Sequence, residues 1–130
     1  MAKGLSKLQL SILRLAYAKR SLAFVGSHRL GRGVDVYTDE LLIGCFGFQP
    51  VYPRYGEEGR FYFSQAAIGR GRYNSARVSL SRALLRLTER GLGVQHWGIA
   101  KWSGFTLSEA GVQVVESEAQ CENDARLARS

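Results

Sequence analysis

The chemistry most readable in this chain is hydrogen-bond donation from one side of a helix. Ser75, Ser79, Arg82 and Arg86 follow one another at spacings of four, three and four residues. At about 100° per residue these positions form one stripe of an α-helix, and Arg90 extends it by a turn. Roughly opposite, Ala76, Leu80, Ala83, Leu84 and Leu87 recur at helical spacing as an apolar face. A helix divided in this way lies on a core with one side. With the other it offers guanidinium forks and hydroxyls, which suit phosphate oxygens and base edges. The competing explanation is a surface helix whose arginines are merely solvated, the commonest fate of such a stripe.

Other chemistries find little to work with. His28 and His96 are far apart in the chain, and Cys45 and Cys121 form no CxxC or Cys/His pair. There is no nucleophile elbow, metal-ligand spacing or phosphate-binding loop. Asp39 and Glu40 are explained by a helix start, and Glu57 and Glu58 by a loop. The sequence therefore predicts neither an enzyme nor a bound cofactor or metal. Two isolated cysteines fit buried or free thiols in a reducing compartment.

At 130 residues, with 45% hydrophobic and 22% charged residues, the chain has the size and composition of one ordinary folded domain. Its net charge of +7 fits an anionic partner. That charge is unevenly placed: residues 1–37 carry +6, residues 38–60 carry −2, residues 61–105 carry +6 and residues 106–130 carry −3. Gln9, Ser11 and Arg14 interrupt the N-terminal apolar residues, so neither a secretory leader nor a membrane span is expected, and the expected location is cytoplasmic.

Stepping along the chain, Ser6 to about Arg20 reads as a first helix, with Leu5, Leu8, Ile12, Leu15 and Ala16 on one face and Ser6 as cap. Its broad apolar face serves either the domain core or a partner helix in a homodimer. Residues 22–36 are ambiguous, with a short strand available at Val34–Tyr37. Thr38 is expected to cap a second helix that Gly47 ends. Residues 48–63 read as an aromatic, proline-containing loop with strand character at Phe61–Phe63. Ser64 can cap a short helix through Ile68, and the Gly69–Arg72 run leads into the striped helix, which Asn74 or Ser75 is expected to cap and Gly91 to stop. Leu92–Trp97 and Phe105–Leu107 then read as a hairpin around a turn carrying Lys101 and Trp102. Ser108 is expected to cap a closing helix, with a polar tail from 117 that either extends it or frays. The expected division is thus 1–47, N-terminal helices; 48–73, aromatic and glycine-rich insertion; 74–116, striped helix, hairpin and closing helix; and 117–130, tail.

The order helix, helix, helix, hairpin, helix resembles the winged helix-turn-helix layout, an α+β and mostly α fold of three helices, a two-stranded wing hairpin and a C-terminal helix. Two segments carry the resemblance. SRALLRLTERGL, residues 81–92, is similar to the recognition helix of winged-helix regulators, including those of the MarR type. Ser81 and Arg82 match its DNA-facing pair, Leu87 its inward leucine, and Gly91 and Leu92 the pair that leads into the wing. FTLSEAG, residues 105–111, looks like the segment in which the second wing strand enters the next helix. The resemblance covers residues 64–116 well and the N-terminal half poorly. Two segments compete for the second helix: Thr38–Gly47 is the better helix but lies far upstream, while Ser64–Arg70 is correctly placed but short.

The function this implies is a transcriptional regulator that binds double-stranded DNA. Ser75, Ser79, Ser81, Arg82 and Arg86 would face the major groove, with Arg77 and Arg90 on flanking phosphates. Asn74 near the helix start would help hold a phosphate, and Lys101 would make the wing contact. Arg70 and Arg72 read as a basic loop near the DNA backbone, ahead of an arm for the minor groove. A homodimer through the helix at 6–20, the C-terminal helix or both would fit palindromic sites. A second class of function is single-strand or RNA binding through the basic aromatic segment 52–73, and a third is a protein-interaction module built on the same fold. Val78 and Leu85 sit awkwardly for the first: they give the helix a second apolar ridge, which packing under the 48–63 insertion would explain.

Overall fold

The computed structural model describes residues 4–22, 24–25, 28–29, 34–53, 61–97 and 103–129. The fold is α+β and mostly helical, with five helices and a small antiparallel sheet among these residues. Helix α1, Lys7–Leu22, starts in a reciprocal cap: the Gln9 amide donates to Ser6 Oγ, and the Ser6 amide donates to Gln9 Oε1. Ile12, Leu13 and Ala16 are fully buried, so the broad apolar face of α1 enters the core. A minimal hairpin of β1, Phe24–Val25, and β2, His28–Arg29, follows in the stretch the sequence left open.

Strand β3, Val36–Tyr37, runs straight into α2, Thr38–Phe46. Thr38 is the first helical residue and not the cap expected of it. Its hydroxyl instead meets Ser103 Oγ across the sheet, while the start of α2 is closed by the Tyr37 amide donating to Glu40 Oε1 at 2.9 Å. Lys19 Nζ of α1 lies 3.2 Å from the other Glu40 oxygen and balances this buried carboxylate. The segment beyond Gly47 is more regular than a loop. Strand β4, Tyr52–Pro53, pairs with β5, Phe61–Tyr62, and the Phe61 amide donates to Asp39 Oδ2, fastening the hairpin beside the start of α2.

Ser64 caps the single turn α3, Gln65–Ile68, as its spacing predicts. Helix α4, Arg70–Glu89, then begins four residues earlier than the sequence implies. Gly69, at φ +101°, makes the sharp break between the two, a backbone state open to glycine at little cost. Asn74 and Ser75 therefore sit in the second turn and cap nothing. Arg70 and Arg72 are helical residues, neither a basic loop nor an arm. Six residues of α4 are buried, among them Leu80, Leu84 and Leu87, each contributing roughly 1.5–3 kcal/mol as a leucine removed from water.

After Gly91 the chain forms β6, Gly93–Trp97, and β7, Ser103–Leu107, with Gly93 opposite Leu107 and Trp97 opposite Ser103. The expected two-stranded hairpin is in fact a three-stranded sheet in the order β3–β7–β6, because Val36 pairs with Phe105 on the far side of β7. Gly93 leaves room in β6 for the fully buried Phe105 ring, which packs where a side chain would be. The buried Asp35 carboxylate accepts from the Leu107 amide and ties the start of β3 to the end of β7. Ser108 caps α5, Glu109–Arg129, with its hydroxyl accepting from the Gly111 amide at 3.2 Å. The polar tail is thus a helix extension as far as Arg129.

Candidate nucleic-acid interface

Helix α4 passes through the body of the protein with its apolar face inward, against α1, α2 and β6. On its outer side Asn74, Ser75, Ser79, Ser81, Arg82 and Arg86 are all exposed. The sequence placed these residues together, and the fold keeps them together. Among the described residues neither Arg82 nor Arg86 makes an ion pair, so both guanidinium groups face water.

The stripe is bordered on its length. Near its start, a cleft of about 260 Å3 runs between Phe46 and Phe48 on one wall and Arg72, Ser75 and Ser79 on the other. Further along, Ser79, Arg82 and Arg86 face Ser6, Leu8 and Gln9 at the start of α1 across a second cleft of about 200 Å3. The positive end of the α1 dipole thus lies beside the two outermost arginines of the stripe. A shallow depression on the other flank is lined by Asn74, Arg77, Val78, Ser81 and Arg82.

Not every arginine is equally free. The Arg77 Nη1 donates to the Tyr73 hydroxyl at 3.1 Å, and its guanidinium lies 5.7 Å from that ring. Arg72 lies 5.4 Å over the Phe48 ring. Such cation–π contacts hold a charge at a fixed place on the rim while leaving its outer edge open. Arg70 is exposed at the first turn of α4. Arg90 follows the helix, and its guanidinium lies near Gly4 ahead of α1. Lys101 and Trp102, expected at the hairpin tip, lie outside the described residues, as do Arg54, Tyr55 and Arg60 of the aromatic segment. His96 is a half-buried strand residue.

The aromatics nearest the stripe have structural employment. Tyr73, 7% exposed, stacks on Phe48 with ring centroids 6.1 Å apart, and Phe63 packs against both. Tyr62 is exposed, but Phe48, Phe63 and Tyr73 have their faces covered by one another. Cys45 offers no nucleophile, since burial pushes its thiol up to about 11. Among the described residues no group of histidine, cysteine and acidic side chains gathers to hold a metal ion, and no helix is long and apolar enough to cross a membrane.

Two features escaped the sequence. The cleft beside Phe46 and Phe48 required α2 to end against α4, and the placement of the α1 start beside Arg82 is a tertiary fact with no local signal. A third is a correction. Val78 and Leu85, expected to be covered by the 48–63 segment, are 49% and 52% exposed. Comparison with known proteins adds no relative: no family profile, curated protein or solved structure matches the chain significantly.

Proposed function

We propose that the protein is a double-stranded DNA-binding transcriptional regulator of winged helix-turn-helix type. Helix α4 enters the major groove and the β6–β7 hairpin serves as the wing. The observation that carries this reading is the division of α4. Six buried residues fix the helix to the core, while Ser75, Ser79, Arg82 and Arg86 project from the other side along a bordered stripe. A rigidly held helix can insert its outer face into a groove without first ordering itself, which lowers the cost of binding. The order α1, β3, α2, α4, β6, β7, with β3 completing the sheet, also supports a winged helix, and it favours Thr38–Phe46 over the Ser64 segment as the second helix.

In this reading Arg82 and Arg86 reach base edges. Ser75, Ser79, Ser81 and Asn74 contact bases or sugar–phosphate, and Arg70, Arg72 and Arg77 position the backbone. The mutual packing of Phe48, Phe63 and Tyr73 weighs against base stacking as the main binding mode. A regulator of this kind works in the cytoplasm. A homodimer through α5, the apolar face of α1 being taken up by the core, would place two α4 helices on a palindrome whose half-sites lie about 34–36 Å apart.

The test is a titration of random duplex, single-stranded DNA and RNA across salt, followed by selection of a preferred duplex. Arg82→Ala and Arg86→Ala are each expected to lose about 1–3 kcal/mol on the selected duplex, against a smaller and sequence-independent loss for Arg72→Ala. Undiminished duplex affinity in both variants would overturn the reading.

A further inference from the structure

Resting on the reading of α4 as a major-groove helix, we infer that Val78 and Leu85 are specificity residues that contact thymine methyl groups on either side of the base pair read by Arg82. The two side chains are seven residues apart, two turns along the same line of the helix, and half of each is exposed to solvent. Arg82 lies between them in sequence, four residues after Val78 and three before Leu85, so all three share the crown of the exposed face. Val78, Arg82 and Ser81 already line one depression together.

An isolated exposed apolar residue is ordinary and demands no ligand. Here the two stand in the middle of a strongly cationic helix, which carries five arginines and one acid. Its occupant has to be apolar at the centre and anionic at the rim. A second copy docked ridge to ridge fails the second requirement, since it would set arginine against arginine. Duplex DNA meets both. Its phosphates line the edges of the major groove, and the C5 methyl of thymine is the apolar group that the groove floor presents. Length agrees as well. Seven residues rise about 10.5 Å along a helix, close to three base-pair steps of about 3.4 Å. Glu89, exposed one turn beyond Leu85, disfavours phosphate and marks where the reading face ends.

The recognised element is therefore a short duplex with thymines about three base pairs apart flanking a guanine, and RNA or uracil-bearing DNA is discriminated against. The experiment selects a preferred sequence from a pool of random duplexes of about 30 base pairs, then replaces single thymines in it by deoxyuridine, which removes only the methyl group and leaves the protein untouched. Thymine enrichment at both positions is expected. Each replacement should weaken wild-type binding about fourfold, the value for one buried methyl group. Val78→Ala should abolish the loss at one position and Leu85→Ala the loss at the other. Duplex binding that still depends on Arg82 but is indifferent to deoxyuridine overturns the inference and leaves the function standing. Absence of duplex binding overturns both. A change of sedimentation coefficient on Leu85→Ala in the absence of DNA would instead make the ridge an interface between copies of this chain.

Discussion

Helices α4 and α5 are nearly equal in length, 20 and 21 residues, yet they are anchored and charged in opposite ways. Helix α4 is gripped along its whole length, from Tyr73 to Leu87, and its five arginines against one acid give it a net +4. Helix α5 is gripped only near its start, through Gly111 and Val115, and residues 119–128 are exposed; with five acids and two arginines it carries −3. Its acids turn toward α1: Glu116 Oε2 accepts from the Tyr17 hydroxyl at 3.3 Å, and Glu122 pairs with Arg14. Lys19 of α1 is engaged by Glu40. Arg14 and Lys19 of α1 are thus met from within the protein, while Arg82 and Arg86 on the crown of α4 make no ion pair among the described residues. The difference teaches that the net charge of +7 is a poor guide to where an anion binds, and that the pairing of each cation is the better one.

The largest expected effect tests the claim that α4 is held along its length and the far end of α5 is not. Leu87→Ala, at a fully buried position of α4, should lower unfolding stability by about 2–5 kcal/mol, read by urea denaturation. Leu127→Ala, at a residue 72% exposed near the end of α5, should stay within about 0.5 kcal/mol. Similar losses at both sites would erase the contrast.

A middle-sized effect probes how α5 is fastened at its start. Alanine usually stabilises a helix relative to glycine by about 1 kcal/mol. A Cβ on Gly111, however, would lie 2.1 Å from the Leu92 carbonyl oxygen, a backbone atom that cannot swing aside. Gly111→Ala should therefore destabilise by about 1–3 kcal/mol, measured by thermal unfolding. A raised Tm would mean that α5 does not dock against the turn after α4. The smallest effect concerns the exposed pair. Glu122→Gln should cost no more than about 1 kcal/mol at low salt, and the difference should vanish in denaturation curves at 1 M salt.

Much of this was legible in the sequence where local physics decides. The apolar and polar faces of α4, the Ser6, Ser64 and Ser108 caps, the stop of α2 at Gly47 and both strands of the β6–β7 hairpin follow from spacing and side-chain chemistry within a few residues. What escaped depends on distant partners. Asn74 looked like a cap because asparagine is a good one, but the Gly69 break and the packing of Tyr73 on Phe48 extend α4 backward over Arg70–Tyr73, through Gly71. Strand β4 includes Pro53, a residue that argues against a strand, and it forms as an edge beside β5. The candidate stripe was readable as a stripe; the walls that Phe48 and Ser6 give it were not, because no local pattern records which elements meet.

The pairing of Val36 with Phe105 carries a consequence for how the molecule assembles. This contact closes a loop that contains α2, the aromatic segment, all of α4 and β6, whereas Gly93 and Leu107 meet across a short hairpin. Closing the longer loop costs more chain entropy before any contact repays it. The hairpin and α4 should therefore order first and β3 join last, so that in pulsed hydrogen exchange during refolding the amide protons of the β6–β7 pairing gain protection before those shared by β3 and β7. The N-terminal third of the chain would then act as a late-arriving latch, and an α4 already docked on the hairpin would be complete as a platform only once that latch engages.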